Sequence, residues 1–497
     1  MSATAAAALA ARRGAAAAPP RLLVWLIAEQ FRGDYLDRYA PWFGPRGFRR
    51  LMSEGAYFPE CRAQASAFSA SGVATLATGA WPDTHGIVAD RWFDRASRQT
   101  VEAALPLRQA PALADELLAV GGGSRAVALG LTGPLASLAA PSRGKPLVYL
   151  LEPEGAAPDE PVWLSAVRAA HGPERHAGAK WIACRADENS PPLRVLKQEP
   201  GAPEELRALY RASPFAQAAQ VAALRALLAE EKPGFTGAAT LVTVVLSSTA
   251  ALGYEEGGVS PLMRDLVLHL DVEIEQLLEA LDRAPGRGNY NLVFSAAHGA
   301  PPLPAEEARG RYAISSEAVA RAVDAALSAR FDIPPARERY VDRYLYPFLY
   351  LRPHAVRRTG ADPRAVRRLA GEAALTVPGV AAFYTADGDC SRGSAWRRRF
   401  QNSFHALRSG DVMLAYEAGA FENYAARGVA YGSLYPYDAR VPLIFFGPSF
   451  AARTVEDPCA LVDVAPTLAR SLLIPPPGAS IGRVLSAALA PGERTSR

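Results

Sequence analysis

Residues 21–36 read RLLVWLIAEQFRGDYL, an unbroken apolar run from Leu22 to Ala28 that ends abruptly on Glu29 and Gln30. A strand with one face in water alternates apolar and polar residues, so a run without alternation predicts a strand buried on both faces. Its carboxyl end then carries a carboxylate and an amide. Comparable runs occur at Ala126–Leu131, Leu241–Leu246, Asn291–Ser295, Tyr346–Leu351, Asp411–Tyr416 and Pro442–Phe446. Amphipathic segments separate them. The clearest is Leu262–Ala284, where Leu266, Leu270, Ile274, Leu277 and Leu281 recur at helical spacing and Asp271, Glu273 and Glu279 are expected to face elsewhere. The alternation predicts an α/β fold, a mostly parallel central sheet with helices on both faces.

Two stretches fit this pattern less well. Residues 142–235 are rich in Pro, Gly and charge, and 142–235 and 352–408 are both expected to be insertions that form a cap or an edge. Residues 1–20 are Ala-rich, end in Pro19 and Pro20, and are expected to be a disordered leader before a domain spanning 21–497. Arg12 and Arg13 interrupt what would be the apolar part of a secretory signal, which favours a cytoplasmic location.

Composition excludes several classes. The chain has 497 residues, 49% of them hydrophobic, and a formal net charge of +4, as expected of a globular protein with an ample core. The run Arg397–Arg399 lacks interleaved aromatic or Gly residues and reads as a solvated helix face, so no nucleic-acid partner is expected. No apolar run approaches the ~20 residues of a membrane span. Cys61, Cys184, Cys390 and Cys459 show no C-x-x-C spacing, which disfavours a structural zinc site and leaves one or two disulfides open.

In a parallel sheet, ligands bind where the chain leaves the carboxyl ends of the strands. Those ends deliver Glu29 and Gln30, then Ser247–Tyr254, then Ala297 and His298, with Tyr431 just before Asp438–Pro442. Around them run eight motifs in order: RLLVWLIAEQFRGDYL (21–36), GFRRLMSEGAYF (47–58), LATGAWPDTHGI (76–87), LSSTAALGY (246–254), GNYNLVFSAAHGA (288–300), RSGDVML (408–414), YGSLYPYDARVPLIFFG (431–447) and VDVAPTLARSLL (462–473). In these the chain resembles the alkaline phosphatase superfamily, in the branch of type I phosphodiesterases, nucleotide pyrophosphatases and single-domain periplasmic phosphatases. The resemblance runs from about residue 21 to the C-terminus. It implies an alkaline-phosphatase-like fold and, since relatives are usually exported, an alternative periplasmic or secreted location.

Members of that superfamily hold two zinc ions that activate a Thr or Ser nucleophile and take charge off the leaving oxygen. By the resemblance, the first Asp ligand falls on Glu29 and the nucleophile on Ser69 of FSASGVATLATG. The next Asp and His fall on Ala250 and Tyr254, the Asp-His pair on Ala297 and His298, and the last His on Tyr431. A phosphoryl-binding Asn falls on Asp90 and a Lys-x-Arg pair on Thr132 and Pro134. Methyl groups do not bind zinc, and the phenols are not ordinary replacements for imidazole. The expectation is therefore a pseudoenzyme without a cofactor, keeping at most one residual divalent metal at Glu29 and His298, with Ser69 vestigial. The sequence leaves the partner unknown, with a small anion, a phosphate-ester-like or nucleotide-like ligand and a protein all open.

Alternatives remain open at this level. One is a hydrolase with a reduced mononuclear site and Ser69 as nucleophile; another has Glu255, Glu256 or Asp438 supplying ligands. Ser69 also reads as a helix N-cap able to hold an anion, His298 and His85 as structural imidazoles, and Tyr254 and Tyr431 as fillers of vacated volume. Arg440 reads as neutralising Glu29, binding an anion or lying on the surface, and His171 and His176 as unconnected with metal.

Overall fold

The computed structural model describes residues 20–63, 65–153, 160–187, 189–199, 201–234, 237–302, 313–331, 339–422 and 431–491; the leader expected over 1–20 lies outside them apart from Pro20. In chain order the strands that matter are β1 (Leu22–Gln30), β2 (Ala56–Arg62), β3 (Arg125–Gly130), β4 (Leu147–Leu150), β5 (Thr240–Leu246), β6 (Tyr290–His298), β7 (Val341–Leu345), β8 (Phe348–Leu351), β9 (Val380–Thr385), β10 (Val412–Tyr416), β11 (Arg440–Phe446), β12 (Arg453–Thr454) and β13 (Cys459–Ala460). The helices used below are α1 (Ser69–Thr78), α2 (Val162–His171), α3 (Pro214–Glu231), α4 (Ser248–Glu256), α5 (Pro261–Leu281), α6 (Ser316–Phe331), α7 (Pro363–Ala374) and α8 (Val464–Ser471).

The central sheet runs β12-β2-β11-β6-β1-β5-β3-β4, with β13 also paired to β2. From β6 to β4 every neighbour is parallel, whereas β11 is antiparallel to both β6 and β2. Every residue of β1, β5 and β6 is buried. Because successive side chains point to opposite faces, burial of all of them means both faces are covered. The fold is thus the α/β architecture expected.

Two apolar runs lie elsewhere. Tyr346–Leu351 and Asp411–Tyr416 do not join the central sheet; they supply β8 and β10 to a separate antiparallel sheet ordered β7-β8-β10-β9. An apolar run reports burial but not which sheet it enters, so this partition was hidden from sequence. The stretch 352–408 contributes α7 and β9 to this second sheet, and its other strands come from outside that range. The stretch 142–235 holds edge strand β4 together with α2 and α3, and α3 packs against α2, α5 and β5. Strand β2 had no sequence signal, because AYFPECR carries Pro59, Glu60 and Arg62. Pro59 is tolerated because the register with β11 shifts between Val441 and Leu443, opposite this point of β2.

One side chain of α5 corrects its expected orientation. Asp271 is fully buried and accepts the backbone N–H groups of Gly44 and Phe48, both at 2.7 Å. It therefore ties α5 to the loop that leads into the helix Phe48–Glu54. Asp271→Ala leaves two buried donors without an acceptor, and we expect a loss of about 3 kcal/mol in denaturant-unfolding free energy. Asp271→Asn, which keeps one acceptor oxygen, should lose less; equal losses would contradict this account.

Candidate functional site

The register of the central strands sets the site. Gln30 pairs with His298 and Ala28 with Leu246, so β1, β5 and β6 end at one level. Helix α1 then approaches β6 closely: a Cβ on Gly72 would lie 2.4 Å from the Ala297 carbonyl oxygen. Only glycine permits that approach, and it brings Ser69, in the first turn of α1, onto His298 at the end of β6.

Ser69 Oγ lies 2.9 Å from His298 Nε2, and His298 Nδ1 lies 2.6 Å from the Gly299 carbonyl oxygen. A carbonyl oxygen only accepts, so Nδ1 carries the proton and Nε2 accepts from the Ser69 hydroxyl. Burial pushes the His298 imidazole down to about 3. Glu29 is pushed up to about 8 by burial, against hydrogen bonding from Ser247 and with the nearby Asp90 charge adding to the rise. At neutral pH the expected metal pair is accordingly a protonated acid and an imidazole whose lone pair faces the Ser69 hydroxyl.

The start of α1 is already satisfied from within. Phe68, not Ser69, is the N-cap residue, and the Ala70 N–H is taken at 2.7 Å by Asp90 Oδ1. The second oxygen, Oδ2, accepts the Tyr431 hydroxyl at 2.9 Å. Burial pushes the Asp90 carboxyl up, and these two donors oppose the rise. A helix N-terminus favours negative charge, and here a side chain of the protein supplies it.

Tyr431 closes the arrangement. Its ring stacks on His298, with centroids 4.3 Å apart and planes 26° from parallel. Phe68 meets the other side of the cluster, 6.3 Å from Tyr431 and 6.2 Å from Tyr346. Gly432 has φ 109°, and a Cβ there would strike the Phe68 ring at 2.4 Å, so glycine lets the loop pass over it.

Ala250 and Ala297 present buried methyls. The Gln30 amide nitrogen, in the orientation that satisfies it, faces the carbonyl oxygens of Thr249 and Ala250 at 3.3 and 3.2 Å. Among the described residues no group of three or more His, Cys, Asp or Glu side chains is placed to hold a metal ion. The donor set does not fit a pair of zinc ions.

Several expected residues sit elsewhere. Tyr254 is 38% exposed and stands at the pocket rim; it does not fill the vacated volume. Arg440 is paired with Glu60 and not with Glu29. Its Nε donates to the Pro59 carbonyl and pairs with Glu60, both at 2.9 Å, because at the start of antiparallel β11 the side chain reaches toward β2. Thr132 and Pro134 line a different cleft with Glu102, Arg168 and Arg207. Glu255 and Glu256 are both held by Arg194, at 2.9 and 2.7 Å, which accounts for their failure to turn inward. Asp438 is buried, accepts the Ser433 N–H at 3.0 Å and is pushed up to about 7 by burial.

His85 and His176 make their contacts within the fold. His85 is buried between Thr75 Oγ1, at 3.0 Å, and the Ile87 N–H, at 3.1 Å. His176 packs on Tyr210 and Phe215 with Nδ1 at the Gly172 carbonyl. Arg397 and Arg398 are exposed, while Arg399 donates to the Leu434 carbonyl. No helix among the described residues is long and apolar enough to cross a membrane.

A cavity of about 220 Å³ opens beside Tyr431, lined by Phe68, Ala89, Asp90, Arg91, Tyr254, Tyr346 and Tyr431. Phe68 and Tyr346 carry no sequence signal for this role; they become neighbours only when the second sheet packs beside α1.

Comparison with known proteins places this geometry. The family model described as type I phosphodiesterase / nucleotide pyrophosphatase matches residues 23–429. The chain belongs to the type I phosphodiesterase / nucleotide pyrophosphatase family. Within the alkaline phosphatase superfamily it is 23% identical to alkaline phosphatase PhoV of Synechococcus elongatus, over 94% of this chain and 92% of that protein. It is 22% identical to alkaline phosphatase PafA of Elizabethkingia meningoseptica, over 94% of each chain. The crystal structure of wild-type PafA superposes with a TM-score of 0.83 at 20% identity, covering 96% of this chain and 100% of that one. The structure of an inactive variant of murine ectonucleotide pyrophosphatase/phosphodiesterase 5 in complex with AMP matches at 0.56 and 15% identity, covering 92% of this chain and 96% of that one. At these identities the superpositions speak for the fold alone; the chemistry rests on this chain's own side chains.

Proposed function

We propose that this protein is a non-catalytic member of the type I phosphodiesterase family whose catalytic pocket is closed from within and whose adjoining cavity binds a small phosphate-ester-like ligand. The observation that carries the proposal is Asp90, with one oxygen on the Ala70 N–H and the other on the Tyr431 hydroxyl. That carboxylate occupies the Ala70 N–H at the start of the Ser69 helix, while the Tyr431 ring covers His298. The contact between Ser69 and His298 has the form of a nucleophile and its base, but an imidazole held near 3 is a weak base at neutral pH. The proposed ligand is held by the aromatic wall of Phe68, Tyr346 and Tyr431, a surface suited to a flat ring.

A second reading is favoured by one observation, that Ser69 and His298 still converge at 2.9 Å beside Glu29. It is a phosphoric ester hydrolase with a single divalent metal at Glu29 and His298. Turnover of aryl phosphate monoesters and diesters, with and without added zinc, separates the two. We expect none above background, and AMP to raise the thermal midpoint of the metal-free protein. Zinc-dependent turnover abolished by Ser69→Ala overturns the first reading in favour of the second.

A further inference from the structure

The cysteines left without a role by the sequence are not scattered in space. Cys61 lies in β2 and Cys459 in β13, parallel neighbours in which the two residues stand directly in register. Residues in register on adjacent parallel strands point their side chains to the same face, and neighbouring strands lie about 4.8 Å apart. Disulfides span Cα separations of about 4.4–6.8 Å. Cys61 is fully buried and Cys459 is 5% exposed, and both are thiols in the structure. The nearness of Cys459, ahead of burial, holds the Cys61 thiol well above the usual thiol range. The other two cysteines have no such neighbour: Cys184 sits where its N–H reaches Asp265, and Cys390 is bridged to Tyr384 beside the second sheet.

We propose that Cys61 and Cys459 are a disulfide-forming pair, a staple that oxidation closes between β2 and the C-terminal segment behind the Ser69 helix. Strand β13 has only two residues and leads through Leu461–Asp463 into α8. Both that turn and α8 pack on α1, and the Ile481 N–H donates to the Gly79 carbonyl at the end of α1 at 2.9 Å. The pair therefore joins the edge of the sheet to the layer that supports α1. Closure needs an external disulfide such as oxidised glutathione. A thiolate of the pair, exposed when the short edge strand opens, attacks it and releases one glutathione thiolate. The partner thiolate then attacks the mixed disulfide and releases the second, so two thiols are oxidised to one cystine while one glutathione disulfide is reduced to two thiols. A cross-link between residues so far apart in the chain removes a large loop entropy from the unfolded state.

The test uses the full-length folded protein, equilibrated in oxidised or reduced glutathione, alkylated and mapped by mass spectrometry. We expect oxidation to leave two alkylatable thiols, Cys184 and Cys390, to link the peptides containing Cys61 and Cys459, and to raise the thermal midpoint by several degrees. Cys459→Ala, at the edge strand, and Cys61→Ala, in the core, should each abolish the midpoint rise, and Cys459→Ala is the arm that survives if the core variant fails to fold. Four alkylatable thiols in the oxidised folded protein overturn the proposal. So does a linkage involving Cys184 or Cys390, or a Cys61–Cys459 bond that leaves the midpoint unmoved.

Discussion

Glu29→Gln raises the stability of the protein at pH 8 and leaves it nearly unchanged at pH 5. Burial holds the Glu29 carboxyl up to about 8 in the folded protein, against an ordinary value of 4.5. Below 4.5 both folded and unfolded states keep the proton and there is no difference. Between 4.5 and 8 the unfolded chain releases it and the folded protein does not, so stability falls as pH rises through this window. At pH 8 the penalty is at most on the order of 4 kcal/mol, and a neutral amide of the same shape removes it. His298 acts with the opposite sign. Its folded value of about 3 lies below the ordinary 6.5, so the unfolded state binds a proton first and stability falls as pH drops below 6.5. Thermal melts of both proteins at pH 5 and pH 8 check this. A Glu29→Gln protein that is less stable than the parent at pH 8 would mean that the carboxylate is ionised and partnered, as a metal ligand would be.

Restoring the family's donors returns metal binding. The combined variant Ala250→Asp, Tyr254→His, Ala297→Asp and Tyr431→His replaces two methyls and two phenols with the carboxylates and imidazoles that the family resemblance puts at these positions. Tyr431→His also removes the ring from His298 and one of the two hydrogen bonds now held by Asp90. We expect the parent to retain no stoichiometric zinc and the variant to retain it through gel filtration, with dissociation constants lowered by at least about a thousandfold. Tyr431→His alone should give an intermediate gain, because the sites built around Ala250 and Ala297 still lack carboxylates. A folded combined variant that stays metal-free would mean that these four positions are not what separates this chain from zinc-binding relatives.

The strongest parts of the fold were legible because they are local. Leu22–Ala28 reads as doubly buried from its own residues, and α5 reads as a helix from the spacing of its leucines. What escaped was set by distant partners. Strand β2 interrupts its apolar residues with Pro59, Glu60 and Arg62, and it pairs with β11 around an irregularity. Tyr346–Leu351 and Asp411–Tyr416 are apolar enough for the central sheet, and only their mutual pairing through β8 and β10 reveals a second one. Asp271 looked like a solvent-facing member of α5, and nothing in its own helix says that Gly44 and Phe48 present two N–H groups to it.

The candidate site divides in the same way. That zinc-ligand positions hold Ala250, Tyr254, Ala297 and Tyr431 is visible residue by residue once the resemblance is drawn. That Tyr431 lies flat on His298 depends on a loop turning at Gly432. Asp90 could be read as repelling a phosphoryl oxygen, but its double role, on the Ala70 N–H and the Tyr431 hydroxyl, requires a separation of 341 residues to be closed in space. Arg440 was open to three readings in sequence, and only the direction of β11 assigns its guanidinium to Glu60.

The most direct measurement is elemental analysis of the full-length protein after equilibrium dialysis against excess zinc at neutral pH and removal of free ion. The account predicts no stoichiometric zinc. Two equivalents per chain, lost together with affinity in Glu29→Ala or Ser69→Ala, would show that the pocket rearranges to build a binuclear centre, and the reading of a closed, non-catalytic site would not stand.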